Sequence, residues 1–249
     1  MRLKIVKCEE KALPWTQYSI KLQETLELDG SPVAVAITPD LPHGTRQLSR
    51  PVTVCVMLQI ARRGSVFWTS GKGIICGARA HLGIGKPLIP HMDDFLVRQE
   101  KLFRSREAAK QLLASSRNMA PKKGNYLTFS PLEKANFVPD IVVFVATPVQ
   151  ISRIIFLDAF ETGEFDLVHA EPLCTGTIAA PITTGKIGVS FLDMACRIFG
   201  KYKPEEMVVG IPYQRLLRII NSIEHSAAGL AEPSYFIRIA GDFLQRHVP

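Results

Sequence analysis

Four of the five cysteines in this 249-residue chain form two similarly spaced pairs, Cys55 with Cys76 and Cys174 with Cys196, and Cys8 stands apart. The odd number, behind a chain start with no apolar stretch of signal-peptide length, argues against a disulfide framework and leaves thiols for metal or redox chemistry. The two pairs are built alike. The first member follows an extended, proline-containing run (Pro51-Val-Thr-Val or Glu171-Pro-Leu), and glycine-bearing turns at Gly64, Gly71 and Gly73, or at Gly176, Gly185 and Gly188, precede the second. The halves therefore read as distant copies, and a pseudo-two-fold arrangement would bring two thiols from each to one point.

Four thiolates at one point can hold a [4Fe–4S] cluster, one iron each, or a tetrahedral ion such as zinc. The chain contains no C-x-x-C and no ferredoxin-type C-x2-C-x2-C run, so the expectation is topological and does not rest on a local motif. Gly77 and Gly176 would free backbone N–H groups toward the sulfurs, and Lys72, Arg79 and Arg197 are cations close enough in sequence to offset thiolate charge. The expected centre is an iron–sulfur cluster or metal held by Cys55, Cys76, Cys174 and Cys196, serving redox chemistry or electron transfer with a partner protein. A single free cysteine is more often a small buried hydrophobe, and Cys8 is read as an incidental thiol.

The elements that must position these thiols read as α/β: a mixed sheet with flanking helices. A helix is expected around Trp15 to Leu28, an extended run at Pro32 to Ile37, and a second extended run at Pro51 to Leu58 that pairs with it. Pro139 to Ala146 is a continuous β-branched run of the kind buried on both faces of a sheet. Thr147 and Pro148 then supply an N-cap and a first-turn proline for a helix over Val149 to Phe160. The pattern returns at Met207 to Pro212, followed by a helix over Arg215 to Ile223. The two strand–Pro–x–Gln–helix units carry Gln150 and Gln214, and their turns are expected together at one sheet edge. The reading is one domain over 1–249, with halves 1–120 and 121–249 divided at the exposed loop Asn118 to Asn125.

Hydrophobic residues make up 47% and charged residues 21% of the chain, and the longest apolar run is Ile141 to Ala146. That composition excludes a disordered chain, and that run is far too short for a bilayer-spanning helix, so a cytoplasmic protein is expected. The net charge of +7 gathers in 98–123, where Ser105 caps a helix with Ala108, Ala109, Leu112 and Leu113 on its apolar face. With Phe103 the only aromatic there, this basic segment reads as a solvated face more than a nucleic-acid surface, and a nucleic-acid role stands as an alternative to be tested. Another alternative is a metal-free site for a small anionic ligand built from Gly77, Arg79, Gly83, Gln150 and Gln214. Gly71-Lys-Gly73 and Gly83-Ile-Gly85-Lys86-Pro87 complete neither a dinucleotide fingerprint nor a P-loop. His81 reads as a filler, and the neighbouring acids Asp93-Asp94 and Glu205-Glu206 as caps. No feature assigns an enzymatic reaction, and an oligomer is open.

In succession, Ser31-Pro-Val-Ala-Val35, Cys55-Val-Met-Leu-Gln-Ile-Ala-Arg-Arg-Gly64, Cys76-Gly-Ala-Arg-Ala-His-Leu-Gly83, Ser130-Pro-Leu-Glu-Lys134, Pro139 to Gln150, Cys174, Cys196 and Val209-Gly-Ile-Pro212 resemble the family catalogued as domain of unknown function 169. The resemblance runs from about residue 15 to 225. It implies no activity, but its cysteine-bearing blocks fall on Cys55, Cys76, Cys174 and Cys196 and not on Cys8. Its members occur among anaerobic archaea and bacteria, a setting that suits an oxygen-sensitive cluster. One departure is the segment after the last cysteine, where the family usually has glycine and arginine and this chain has Cys196-Arg-Ile-Phe-Gly200-Lys.

Overall fold

A computed structural model describes residues 15–118, 124–230, 241–242 and 245–246; Cys8, Lys122, Lys123 and most of the dividing loop lie outside them. In chain order the elements are α1 (Trp15–Leu26), β1 (Val33–Thr38), α2 (Val54–Arg62), β2 (Phe67–Ser70), α3 (Ala78–His81), α4 (Met92–Arg98), α5 (Arg106–Asn118), β3 (Tyr126–Pro131), β4 (Ile141–Ala146) and α6 (Pro148–Ala159). They continue with β5 (Leu167–His169), a π-helical turn (Thr175–Ala179) running into α7 (Ala180–Thr184), β6 (Ile187–Ser190), α8 (Met194–Gly200), β7 (Met207–Pro212) and α9 (Tyr213–Ser222).

The seven strands make one mixed sheet in the order β2-β3-β1-β4-β7-β6-β5, antiparallel throughout except for the parallel pair β5·β6. Because side chains alternate along a strand, the central strands feed two cores. Val33, Val35, Ile37, Ile141, Val143 and Val145 face the layer that holds α2 and the cysteines. Ala34, Val142, Phe144 and Ala146 face the layer built by α1, α6 and α9. Continuous apolar strands buried on both faces thus give a three-layer α/β/α protein. Outward from the sheet centre, β1 is followed by β3 and β2, and β4 by β7, β6 and β5. β3 lies between β2 and β1, so a boundary near residue 120 separates it in sequence, though not in space, from the strands it pairs with.

The β4–α6 junction forms as its sequence directs. Thr147 Oγ1 accepts from the Gln150 N–H, the Gln150 side chain accepts from the Thr147 N–H at 2.7 Å, and Pro148 sits at the first helical position. Two expectations are corrected. The segment 51–58 is not a strand paired with β1: from Val54 onward it is α2, because Val54, Met57, Leu58 and Ala61 recur at helical spacing and bury one face. The hydrogen-bonded neighbours of β1 are β3 and β4. The two glutamine turns are also not together. β4 and β7 run antiparallel with Ala146 opposite Met207 and Ile141 opposite Pro212, so the turn after β4 and the turn after β7 leave opposite ends of the sheet.

Candidate functional site

All four cysteines of the two pairs lie on one face of the sheet, each at the start of a helical element. Cys55 is in the first turn of α2, after its N-cap Thr53, whose Oγ1 lies 3.0 Å from the Cys55 sulfur. Cys76 precedes Gly77, the N-cap of α3, and backbone N–H groups of Val54 and Ala78 interact with its sulfur, tying it to the start of α2. Cys174 opens the π-helical turn. Cys196 is in the first turn of α8, where the N-cap Asp193 accepts from its backbone N–H at 2.8 Å and from its thiol at 3.2 Å. Cys55, Cys174 and Cys196 are buried in one apolar cluster, with the partly exposed Cys76 packed against it. All four are free thiols.

Local packing explains the convergence. Gly188 on β6 and Gly210 on β7 are register partners, and they give the π-helical turn a flat seat. A Cβ on Gly188 would strike the Gly176 carbonyl and Pro181, and one on Gly210 would strike the Thr177 carbonyl. Across the site, Tyr202 donates its hydroxyl to the Cys55 carbonyl at 2.9 Å and fixes the start of α2 against the chain that leaves α8. π-helical turns are rare and recur at functional sites.

The thiols act on one another electrostatically. A side-chain hydrogen bond couples Cys55 with Cys196: it holds the Cys55 thiol down to about 7 against the opposing effect of burial, and pushes Cys196 up, with burial and Asp193 adding to the rise. The single Cys196 thiol proton has two acceptors to choose between, the Cys55 sulfur and the Asp193 carboxylate 3.2 Å away. Burial raises Cys76 and Cys174, and the charges of Cys55 and Asp193 add to the rise in both; Cys174 also feels Cys76. Thiols from two distant parts of the chain, Cys55 and Cys76 in one and Cys174 and Cys196 in the other, therefore lie within electrostatic reach of one another.

The surroundings are acidic, contrary to the expected cations. Asp193 is accompanied by Glu100 and Glu171; burial raises both carboxyls, and the Asp193 charge raises them further. Arg197 spends its guanidinium on the carbonyls of Phe191, Lys203 and Glu206, Lys72 is exposed, and Arg79 buries a guanidinium nitrogen that has no hydrogen-bond partner among the described residues. Their sequence proximity does not carry over because helix starts direct backbone N–H groups, not these side chains, at the sulfurs. Among the described residues, no three His, Cys, Asp or Glu side chains stand at the spacing of a single-ion site.

The other candidates are dispersed. Gly77 lies so close to His81 that a Cβ on it would stand 2.9 Å from the imidazole Nε2, and Gly83 follows α3 with a positive φ of 68°. Gln150 is committed to its capping box and to the Glu27 carbonyl, whereas Gln214 is exposed at the opposite sheet end, so the anionic-ligand set does not assemble. Asp93 binds Arg106 and Glu206 binds Arg62, each at 2.8 Å. Within the basic segment, Arg98 also pairs with Asp94. Among the described residues, no helix is long and apolar enough to cross a membrane. Sequence reasoning missed Asp193, Thr53 and Tyr202. The first had a signal, an aspartate three residues before Cys196 in an N-cap position; a tyrosine reaching across the fold had none.

A protein of Methanocaldococcus jannaschii described as uncharacterized is 29% identical over 217 residues, covering 82% of this chain and 91% of the relative. No solved structure matches the chain. Residues 21–222 match the family described as Uncharacterised ArCR, domain of unknown function 169. That span holds the whole sheet and all four clustered cysteines, and the chain belongs to the domain of unknown function 169 family.

Proposed function

We propose that the protein holds an iron–sulfur cluster through Cys55, Cys76, Cys174 and Cys196, in a cytoplasmic setting where thiols stay reduced, and that it exchanges electrons with a redox partner. The observation that carries this reading is the convergence of four free thiols at four helix starts on one sheet face. The donor set is all sulfur, which suits a soft metal centre such as a cluster. A bound cluster would supply one-electron transfer at a potential set by its charge and by hydrogen bonds to its sulfurs.

The chain's own part is to pre-assemble the ligands and to hold them until metal arrives. Backbone N–H groups at Val54, Val56, Ala78 and Thr175 favour the thiolate forms, while burial and Asp193 oppose them. Metal would displace the thiol protons, and the neighbouring Asp193 carboxylate would add to the net negative charge of a thiolate-held cluster and lower its potential. Anaerobic purification followed by iron and sulfide analysis tests the reading: roughly four of each per chain, with broad visible absorbance, are expected for a [4Fe–4S] centre. Replacing the four cysteines by serine should abolish both. A colourless protein that stays iron-free after anaerobic reconstitution, with variants of undiminished stability, would overturn it.

A further inference from the structure

On the same side of the protein, a cavity lies at the far end of α2. It has a volume of about 460 Å³ and three walls: the α1–β1 turn with Asp29 and Gly30, the last turns of α2 with Gln59, Arg62 and Arg63, and the chain after α8 with Lys201, Lys203 and Glu206. That volume is in the range of small-ligand sites.

Its charges do not cancel. Arg62 is held by Glu206 at 2.8 Å and by the Asp29 carbonyl, and Lys203 by Asp29 at 2.7 Å. Arg63 and Lys201 have no ion-pair partner among the described residues, so the cavity carries two positive charges more than its carboxylates offset. Gln59 is 7% exposed, lines the cavity, and makes no side-chain hydrogen bond among the described residues. The Gln59 amide is not among the fully buried unpaired groups and is free to donate, one helical turn before Arg62 and Arg63 on the same face of α2. The backbone is shaped around the cations: Lys201 adopts a left-handed conformation (φ 53°), and Gly30 leaves the room that the Arg62 side chain occupies.

We propose that this cavity binds a small doubly charged oxyanion, a phosphoryl group or a dicarboxylate, with Arg63 and Lys201 neutralising its charge and the Gln59 amide donating to it. The buried Arg62–Glu206 pair is the rigid floor. The elements that wall the cavity, α2 and the chain after α8, are those that bring Cys55 and Cys196 together, and Tyr202 between them donates to the Cys55 carbonyl. The site is thus attached to the cysteine face but needs no metal to form.

Isothermal titration calorimetry at fixed ionic strength, on the full chain and on its four-Cys→Ser variant, with inorganic phosphate in one arm and succinate in the other, tests the proposal. Saturable binding of at least one anion is expected in both proteins, and the arm that binds more tightly identifies the phosphoryl or the carboxylate class. Arg63→Ala, Lys201→Ala and Gln59→Leu should each weaken it about tenfold or more, the effect of losing one hydrogen bond to a charged group. Arg63 and Lys201 are exposed, so their variants remain folded if Gln59→Leu does not. Absence of saturable heat with either anion, or equal affinity in the Arg63→Ala/Lys201→Ala double variant, would overturn the proposal without touching the cysteine reading.

Discussion

The Asp193 carboxylate accepts twice from one residue, from the Cys196 backbone N–H at 2.8 Å and from the Cys196 thiol at 3.2 Å. The same side chain thus caps α8 and orients a candidate ligand. Removing an N-cap costs about 1 kcal/mol, whereas asparagine caps as well as aspartate. Asp193→Ala should lower the urea-unfolding free energy by about that amount, and Asp193→Asn should leave it close to wild type. Equal losses in both would mean that the carboxylate charge, not the cap, supports α8.

Gly210 is expected to be the least replaceable position on the cysteine face. Its Cβ would enter the Thr177 carbonyl, and backbone cannot swing aside as a long side chain can. Gly210→Ala should cost about 3 kcal/mol, the upper range for overpacking, and should displace the π-helical turn that starts at Cys174. Gly163→Ala is a control, because nothing lies within 4 Å of its Cβ, although its φ of 71° adds local strain. A Gly210→Ala protein as stable in chemical denaturation as the wild type would contradict the close-packed seat.

Acid should loosen the contact between α4 and α5 before it affects the core. A hydrogen bond from Arg106 holds the Asp93 carboxyl below its ordinary 3.8, with the Arg106 charge adding to the effect. A carboxyl lowered by folding contributes stability that is complete above its unfolded value and disappears as pH falls through the folded one. Asp93→Asn should therefore melt below the wild type at pH 5 to 7 (roughly the region of full ionisation), and the gap should close in melts taken at pH values below 3.8. A gap independent of pH would assign the effect to packing.

The parts of the fold legible in the sequence were those in which neighbouring residues act on one another. The apolar run of β4 followed by Thr147, Pro148 and Gln150 contains its strand, its cap and its helix start within a few residues. α2 was misread because Val52, Val54 and Val56 alternate like a strand, while the burial that decides it, at Val54, Met57, Leu58 and Ala61, follows the helical period. The cysteine pairs stood out through their parallel spacing, and the cysteines of both pairs lie on one face. Tyr202 and the Gly188–Gly210 seat were out of reach, since each gains its role from a segment met only after the sheet has formed, whereas Asp193 acts on Cys196 three residues away and is legible as an N-cap. The cavity at Gln59 was hidden for the same reason: its cations come from two helix ends separated by most of the chain.

Cys55 and Cys196 give a thiol-level prediction. The hydrogen bond between them is the main reason that the Cys55 thiol is held at about 7 against burial, with Thr53 contributing less. In metal-free, reduced protein, removal of the donor should leave burial unopposed by its largest counterweight. The pH midpoint for alkylation of Cys55, followed by peptide mass spectrometry, should then rise in Cys196→Ala from about 7 toward or beyond the ordinary 9.0. Thr53→Val should shift it in the same direction by less. Thiolate is the reacting form, so at neutral pH the Cys196→Ala protein should be alkylated at Cys55 more slowly even though the neighbouring side chain is smaller. Faster alkylation would mean that access, not the shared proton, governs this thiol.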